Sequence, residues 1–233
     1  MAASDTHLIK EAIEVTDYVY AALYDERGLV LIARKRQAGY YFGPEPGQGG
    51  RIVQAGQVLH GAGRSSLPGG KKRDDESILF GAAREFHEET GVEVDDRAIA
   101  RATPWRHDQH DHDMRFAGGL FRVSSQVLDA TARRTNINLI EGDAAADEIR
   151  IDEITEYDDI HQYYPHAPAD NELDVCGLWN LHNRNVRAEL ASWRGDPDLG
   201  WFYYILSDLS VELNLGPLSV LGADEDADLA GVR

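Results

Sequence analysis

Fixed intervals between Gly70 and Val92 place glycine, acidic and basic residues in one unbroken pattern. Written as spacing, the pattern is G-x5-E-x7-R-E-U-x-E-E-x-G-U, where U is a bulky apolar residue. The fixed positions are Gly70, Glu76, Arg84, Glu85, Phe86, Glu88, Glu89, Gly91 and Val92. Because residues three and four apart share one side of a helix, the spacing predicts a helix that crowds together Glu85, Glu88 and Glu89.

The same stretch carries the boundary signals of an amphipathic helix. Asp75 suits the N-cap, and Gly91 suits the left-handed position that follows a helix C-terminus. The predicted apolar face consists of Ile78, Leu79, Ala82, Ala83 and Phe86. Glutamates crowded beside that face repel one another unless a cation joins them, and hard oxygen ligands suit Mg²⁺ or Mn²⁺. A solvated acidic helix face is the alternative.

This stretch resembles the Nudix box, which it matches at every fixed position. The resemblance implies an α/β fold, a Nudix-type α/β/α sandwich with a mixed β-sheet, over roughly residues 15–182. It also implies a set of metal ligands made of Glu85, Glu88, Glu89 and the carbonyl oxygen of Gly69 or Gly70. Arg84 is then expected to orient a ligating glutamate, and Glu76 to support the loop.

Members of this family mostly hydrolyse a diphosphate linked to another moiety. The resemblance therefore implies a Mg²⁺-dependent pyrophosphohydrolase, with Mn²⁺ as the other suitable ion, and Arg84 and Glu88 among its catalytic residues. Four substrate classes stay open: ADP-ribose, a nucleotide sugar, a dinucleoside polyphosphate and a nucleoside triphosphate. Glu172, in a late loop, resembles the acidic residue that many relatives place over the metals, and it is the first candidate for the general base. The tract from His107 to Asp113 is the second candidate.

Charge is unevenly distributed along the chain. Residues 34–73 hold eight basic residues and one acid, whereas residues 141–175 hold twelve acids and one arginine. A basic segment beside a carboxylate helix suits an anionic phosphate substrate. The arginines that we expect to bind such a substrate are Arg34, Arg36, Arg51 and Arg64.

The formal net charge of −18 argues against DNA, long RNA and anionic membranes as partners. A single cysteine excludes an intrachain disulfide, and neither an apolar leader nor a long apolar run is visible, so we expect a cytoplasmic protein. The expected partner is a small phosphoanhydride molecule. Many members of the family pair as homodimers, which makes a homodimer a further expectation.

Three other functions are alternatives to hydrolysis. A Nudix-fold sensor would bind a nucleotide without cleaving it, but such relatives usually lose box glutamates, and this chain keeps them. RNA decapping conflicts with the net charge, although the basic segment favours it. Isoprenoid diphosphate isomerisation needs a reactive thiol, and Cys176 lies in an apolar, strand-like run. An aromatic set could stack on a planar substrate group or belong to the core: Tyr40, Tyr41, Phe42 and Trp105.

Four parts are predicted along the chain: an N-terminal extension (1–14), the Nudix domain (15–182), a C-terminal helical appendage (183–221) and an acidic disordered tail (222–233). Strands are expected at 17–24, 29–33, 92–98, 114–123 and 173–181, with strand or turn at 145–157. Beyond the box helix, helices are expected at 7–15, 183–194 and 200–209. A glycine-rich segment, 36–66, is expected to be mostly loop with a strand pair at 51–60.

Overall fold

The computed structural model describes residues 16–42, 58–107, 114–150, 160 and 162–219. Seven strands form one mixed sheet. They are β1 (Thr16–Tyr24), β2 (Leu29–Lys35), β3 (Ser65–Ser66), β4 (Gly69–Lys71), β5 (Thr103–His107), β6 (Met114–Arg122) and β7 (Leu173–Asn180). The helices are α1 (Ile78–Thr90), α2 (Asp96–Arg101), α3 (Ser125–Arg150), α4 (Arg184–Ser192) and α5 (Gly200–Glu212).

The centre of the sheet is a parallel pair, β1 and β6, in register from Thr16 opposite Met114 to Tyr24 opposite Arg122. Strand β5 extends the sheet beyond β6, and β7 pairs with β2, both antiparallel. Strands β1 and β2 pair where Tyr24 faces Val30, next to their connecting turn. Farther along, β3 pairs with β2 and β4 pairs with β1, so the segment before the box helix fills the opening between these strands.

Successive side chains along β1 belong alternately to two hydrophobic cores. Val19, Ala21 and Leu23 belong to the cluster that includes residues of α1 and α3. Tyr20, Ala22 and Tyr24 belong to the cluster that includes residues of α4 and α5. Successive side chains of a strand point to opposite faces, so helices cover both faces of the sheet. The α/β/α sandwich with a mixed sheet is therefore confirmed.

The strands at 17–24, 29–33, 114–123 and 173–181 and the helices at 183–194 and 200–209 are confirmed within a few residues. Two strand predictions are wrong. Residues 145–150 end the long helix α3, whose buried Ala145, Ala146 and Ile149 pack inward. Residues 96–101 form α2, because the side chain of Asp95 accepts a hydrogen bond from the Arg97 amide and caps a helix there.

The C-terminal helices contribute to the core. Leu190 in α4 and Phe202, Ile205 and Leu206 in α5 are buried in the same cluster as β1 and β2. The boundary predicted at residue 182 stays a prediction. The predicted helix at 7–15, most of the strand pair at 51–60 and the tail at 222–233 lie outside the described residues. Within the described part of the chain, no helix has the length and apolar character needed to span a bilayer.

Candidate active site

The box helix α1 is fixed at both ends by its own sequence. Ser77, not the predicted Asp75, is the N-cap, and its hydroxyl accepts a hydrogen bond from the Phe80 amide. Gly91 ends the helix in the left-handed conformation (φ 66°), as predicted, and donates to the His87 carbonyl at 2.7 Å. An added Cβ at Gly91 would lie 2.7 Å from the Asn138 side-chain nitrogen of α3. The helix is thus held in one register against the sheet and α3.

Arg84 is the centre of an ion-pair network on α1. Its Nε and Nη2 donate to both carboxylate oxygens of Glu76, at 3.0 and 2.7 Å. Its Nη1 lies 2.8 Å from Glu85 Oε1 and 2.8 Å from Glu88 Oε2. Because its side chain is only 17% exposed, Arg84 neutralises a partly desolvated acidic cluster. Arg84 therefore contacts two of the box glutamates, Glu85 and Glu88.

The two other box glutamates face the strand segment that precedes α1. Glu89, which is buried, accepts a hydrogen bond from the Gly69 amide at 2.9 Å. The carboxylate of Glu85 stands against Gly70, where an added Cβ would lie 2.5 Å from Glu85 Oε2. Glycine at position 70 therefore provides the space that this carboxylate occupies.

A cavity of about 740 Å³ opens beside this helix. Five carboxylates line it, three from α1 and two from the loop just before β7, which we call the late loop: Glu85, Glu88, Glu89, Asp170 and Glu172. Lys35 and Lys71 line it as well, and so does the start of α5 with Trp201. The volume falls in the range of small-molecule sites. The arrangement offers oxygen ligands and fixed positive charges to the same ligand.

Burial changes the protonation of several of these acids. It raises the pKa of Glu85 to about 7, although Arg84 opposes the shift. Burial also raises the pKa of Glu89 well above its usual range, and the pKa of Asp170 likewise, with the negative charge of Glu172 adding to both. Such carboxylates gain from a nearby cation, which would favour their ionised forms.

The late loop is tied to both sides of the cavity. The Asp170 amide donates to the Glu88 carbonyl at 2.8 Å, and Lys35 Nζ donates to Glu172 Oε2 at 2.7 Å. Burial alone would lower the pKa of Lys35, but Glu89 and Glu172 raise it above its ordinary value. Glu172 thus lies where the sequence placed it, near the box glutamates. Asp170 and Lys35 were missed, because a single loop acid and a lysine at a strand end carry no distinctive spacing.

The NUDIX domain family model matches residues 16–173 of this chain. The chain belongs to the Nudix family. A search of curated proteins found no match.

Solved structures of Nudix proteins are similar over part of their length. The MutT protein from Methanosarcina mazei Go1 is 23% identical, over 46% of this chain and 61% of that one, with a TM-score of 0.28. A NUDIX hydrolase from Nitrosomonas europaea is 14% identical, over 47% of each chain, with a TM-score of 0.32. A bifunctional NMN adenylyltransferase/ADP ribose pyrophosphatase from Francisella tularensis, complexed with AMP and a Mn ion, is 19% identical, over 46% and 27%, with a TM-score of 0.32. The chain thus spans less than two thirds of each of these three structures.

The three box glutamates suit a hard divalent cation, because the atoms that they offer to it are carboxylate oxygens. Among the described residues, however, no group of acidic, histidine or cysteine side chains converges closely enough to enclose an ion. Arg84 Nη1 takes the position between Glu85 and Glu88 instead. A cation held by these two glutamates would therefore require Arg84 Nη1 to give up at least one of its contacts, while its two bonds to Glu76 remain.

The arginines predicted to bind substrate are paired with acidic side chains, and one of these acids, Asp198, lines the cavity beside Arg64. Arg34 pairs with Asp174, and Arg36 pairs with Asp143 on α3. Arg64 forms two bonds with Asp196, at 3.0 and 2.5 Å. Arg51 lies outside the described residues. None of the first three lines the cavity in the described part of the chain, and their role in binding stays a prediction.

Other candidates from the sequence are separate from the Nudix site. Phe42 and Trp105 are buried core residues, so stacking on a substrate is wrong for these two. The Trp105 indole nitrogen donates to Asp208 at 2.7 Å. Cys176 is buried on β7, and burial raises the pKa of its thiol to about 12, which leaves it un-ionised at neutral pH. His107 stacks on Tyr204, and residues 108–113 of its tract lie outside the described residues.

Replacing Gly70 by alanine tests how closely the box carboxylates are placed. We expect the added methyl group to displace Glu85, because it would lie 2.5 Å from Glu85 Oε2. Activity should fall about 10- to 100-fold, the range found when the support of a metal ligand is lost, while the circular dichroism spectrum stays unchanged. Gly177→Ala is the control, since the nearest atoms to a Cβ there lie 3.9 Å away and its backbone is not left-handed. Equal activity of the two variants would contradict the placement of Glu85 in the site.

Proposed function

We propose that this protein is a divalent-metal-dependent hydrolase of phosphoanhydride bonds, acting on a nucleoside diphosphate linked to another moiety. The observation that supports it most strongly is that the three box glutamates and two late-loop acids line one cavity. Membership of the Nudix family supports the same chemistry. Mg²⁺ is the proposed cation, with Mn²⁺ as the second suitable ion.

The proposed ligands of the cation are Glu85, Glu88, Glu89 and the carbonyl oxygen of Gly69. Once bound, such a cation neutralises charge on non-bridging phosphate oxygens and lowers the pKa of a water ligand. Arg84 acts as the positioning residue, because it contacts Glu85 and Glu88 while Glu76 anchors it. Arg73 Nη2 holds the other oxygen of Glu88 at 3.0 Å.

Lys35 and Lys71 supply fixed positive charge to the substrate phosphates in the same cavity. Glu172 is the proposed general base. Its carboxylate lines the cavity and is 26% exposed, so water can reach it. The contact with Lys35 keeps its carboxylate oriented. The neighbouring Asp170 is less suited to this role, because burial raises its pKa and favours the protonated form.

The test is a product assay on the purified protein with Mg²⁺. The panel comprises ADP-ribose, nucleotide sugars, dinucleoside polyphosphates, NADH and nucleoside triphosphates, with products separated by chromatography and Glu88→Gln as the blank. We expect cleavage of a phosphoanhydride bond in one substrate class and its loss in the blank. Tight nucleotide binding without cleavage by the unmodified protein would support a non-catalytic sensor instead and would overturn the proposed activity.

A further inference from the structure

Part of the cavity lining is aromatic rather than acidic. Four of the aromatic side chains that line the cavity form what we call the aromatic wall: Tyr18, His60, Phe116 and Trp201. Their planes are nearly parallel from one ring to the next. Tyr18 and Phe116 are 6.0 Å apart at 26°, Phe116 and Trp201 are 4.5 Å apart at 2°, and Trp201 and His60 are 6.2 Å apart at 29°.

The aromatic wall is a continuous stack that ends on an exposed ring. The side chain of His60 is 74% exposed, whereas Trp201 is 8% exposed. Among the described residues, the buried indole nitrogen of Trp201 has no hydrogen-bond partner. A stack of rings with an exposed terminal member suits a further planar group, because aromatic rings attract one another when offset or stacked.

One carboxylate, that of Asp198, lies on this wall. One of its oxygens lies 3.3 Å from His60 Nε2, and the other accepts a hydrogen bond from Arg64 Nη1 at 3.3 Å. Its neighbour Asp196 is differently engaged: it binds Arg64 through both oxygens and accepts from the amides of Asp198 and Leu199. Asp196 therefore shapes the chain, while Asp198 lines the cavity and keeps acceptor capacity for a ligand.

A carboxylate selects its ligand by charge and by donor pattern. It disfavours phosphate, so the diphosphate is directed to Lys35, Lys71 and the box helix. It accepts two parallel N–H bonds well, one on each oxygen. Guanine presents two such donors side by side, at N1 and N2, whereas adenine presents an acceptor beside its amino group.

We infer that the aromatic wall binds the base of the substrate and that Asp198 selects a guanine-type base with adjacent N–H donors. This inference rests on the proposed function, because it takes the box helix as the site of the diphosphate. His60 stacks on the base, and Asp198 accepts its two N–H groups. The residues that hold the base come from outside the box, in the segment before β3, in strands β1 and β6, and at the start of α5.

The test measures binding without cleavage, by calorimetry on the full chain with Mg²⁺. The ligands are the α,β-methylene analogues of GDP and ADP, whose bridge resists hydrolysis, and methylenediphosphonate, which has no base. The GDP analogue should bind about tenfold more tightly than the ADP analogue, as expected for one bidentate base contact. Both nucleotide analogues should bind more tightly than methylenediphosphonate.

Two variants and a control show which residues cause the preference for the GDP analogue and the tighter binding of both nucleotide analogues. Asp198→Asn should abolish the preference for the GDP analogue without changing the affinity for methylenediphosphonate. His60→Ala should weaken both nucleotide analogues by a similar factor. Asp174→Asn is the matched control, since its side chain is 35% exposed and pairs with Arg34, whereas that of Asp198 is 32% exposed and pairs with Arg64. Asp174 does not line this cavity.

The outcomes separate this inference from the proposed function. If methylenediphosphonate binds as tightly as both nucleotide analogues, the diphosphate site stands and the base site is overturned. A preference for the ADP analogue, or one for the GDP analogue that survives in Asp198→Asn, overturns the role of Asp198. If none of the three ligands binds, the proposed diphosphate site fails together with the inference.

Discussion

Replacing Glu88 by glutamine is expected to lower kcat by about two orders of magnitude or more while leaving the fold intact. Glu88 lines the cavity, and its two oxygens face Arg73 and Arg84. An amide keeps the shape of the side chain but removes the negative charge that a cation requires. A catalytic metal stabilises the transition state by several kcal/mol, and about 1.4 kcal/mol corresponds to a factor of ten in rate.

The matched control for Glu88 is Glu93→Gln, an exposed glutamate beyond the end of α1. Steady-state rates of both variants, measured on the substrate found by the product assay, give the comparison. Thermal unfolding of each shows whether the fold is kept. Activity of Glu88→Gln equal to that of Glu93→Gln would contradict the assignment of Glu88 as a ligand.

Replacing Arg84 by glutamine is expected to destabilise the fold by about 3 kcal/mol when no divalent cation is present, as found when one partner of a buried ion pair is removed. Three carboxylates lose their shared partner in this variant: Glu76, Glu85 and Glu88. Added Mg²⁺ should recover part of the lost stability, because a cation restores positive charge beside Glu85 and Glu88. It should not replace the two bonds from Arg84 to Glu76.

Urea unfolding with chelator and with excess Mg²⁺ measures this effect. Arg115→Gln is the control, because Arg115 also binds one carboxylate, that of Asp17, through two nitrogens. Its side chain is 54% exposed, so the change should cost less than about 1 kcal/mol, with or without Mg²⁺. If Arg84→Gln is no less stable than Arg115→Gln, the network around Arg84 does not hold the acidic cluster together.

The box helix was predictable because its signals are local and agree with one another. The apolar stripe, the Glu spacing and Gly91 all specify the same helix, and only the N-cap was misplaced by two residues. Helix α3 gave no comparable signal. Its buried face combines leucines with small and polar residues, among them Ala132, Thr135 and Gly142. Tertiary packing, rather than an apolar stripe, determines that helix.

The carboxylate side of the site was predictable from the sequence, whereas the rest of the cavity was not. Residues of one helix keep a fixed spacing, so three glutamates could be placed together from their numbers alone. Lys35, Asp170 and Trp201 reach the cavity from a strand end, a loop and a later helix. Their proximity depends on how β2, the late loop and α5 pack, and no local pattern encodes that. The arginines were chosen by charge, and the structure pairs three of them with acids, of which only Asp198, beside Arg64, lines the cavity.

Cleavage at the box helix should depend on a bound divalent cation, and a Mg²⁺ titration of the cleavage rate measures that dependence. The unmodified protein, Glu88→Gln and Glu93→Gln are first treated with chelator and then assayed as Mg²⁺ is restored. We predict saturable activation of the unmodified protein and of Glu93→Gln, and little or none of Glu88→Gln. Cleavage that persists in chelator, or the same activation in all three proteins, would contradict the account.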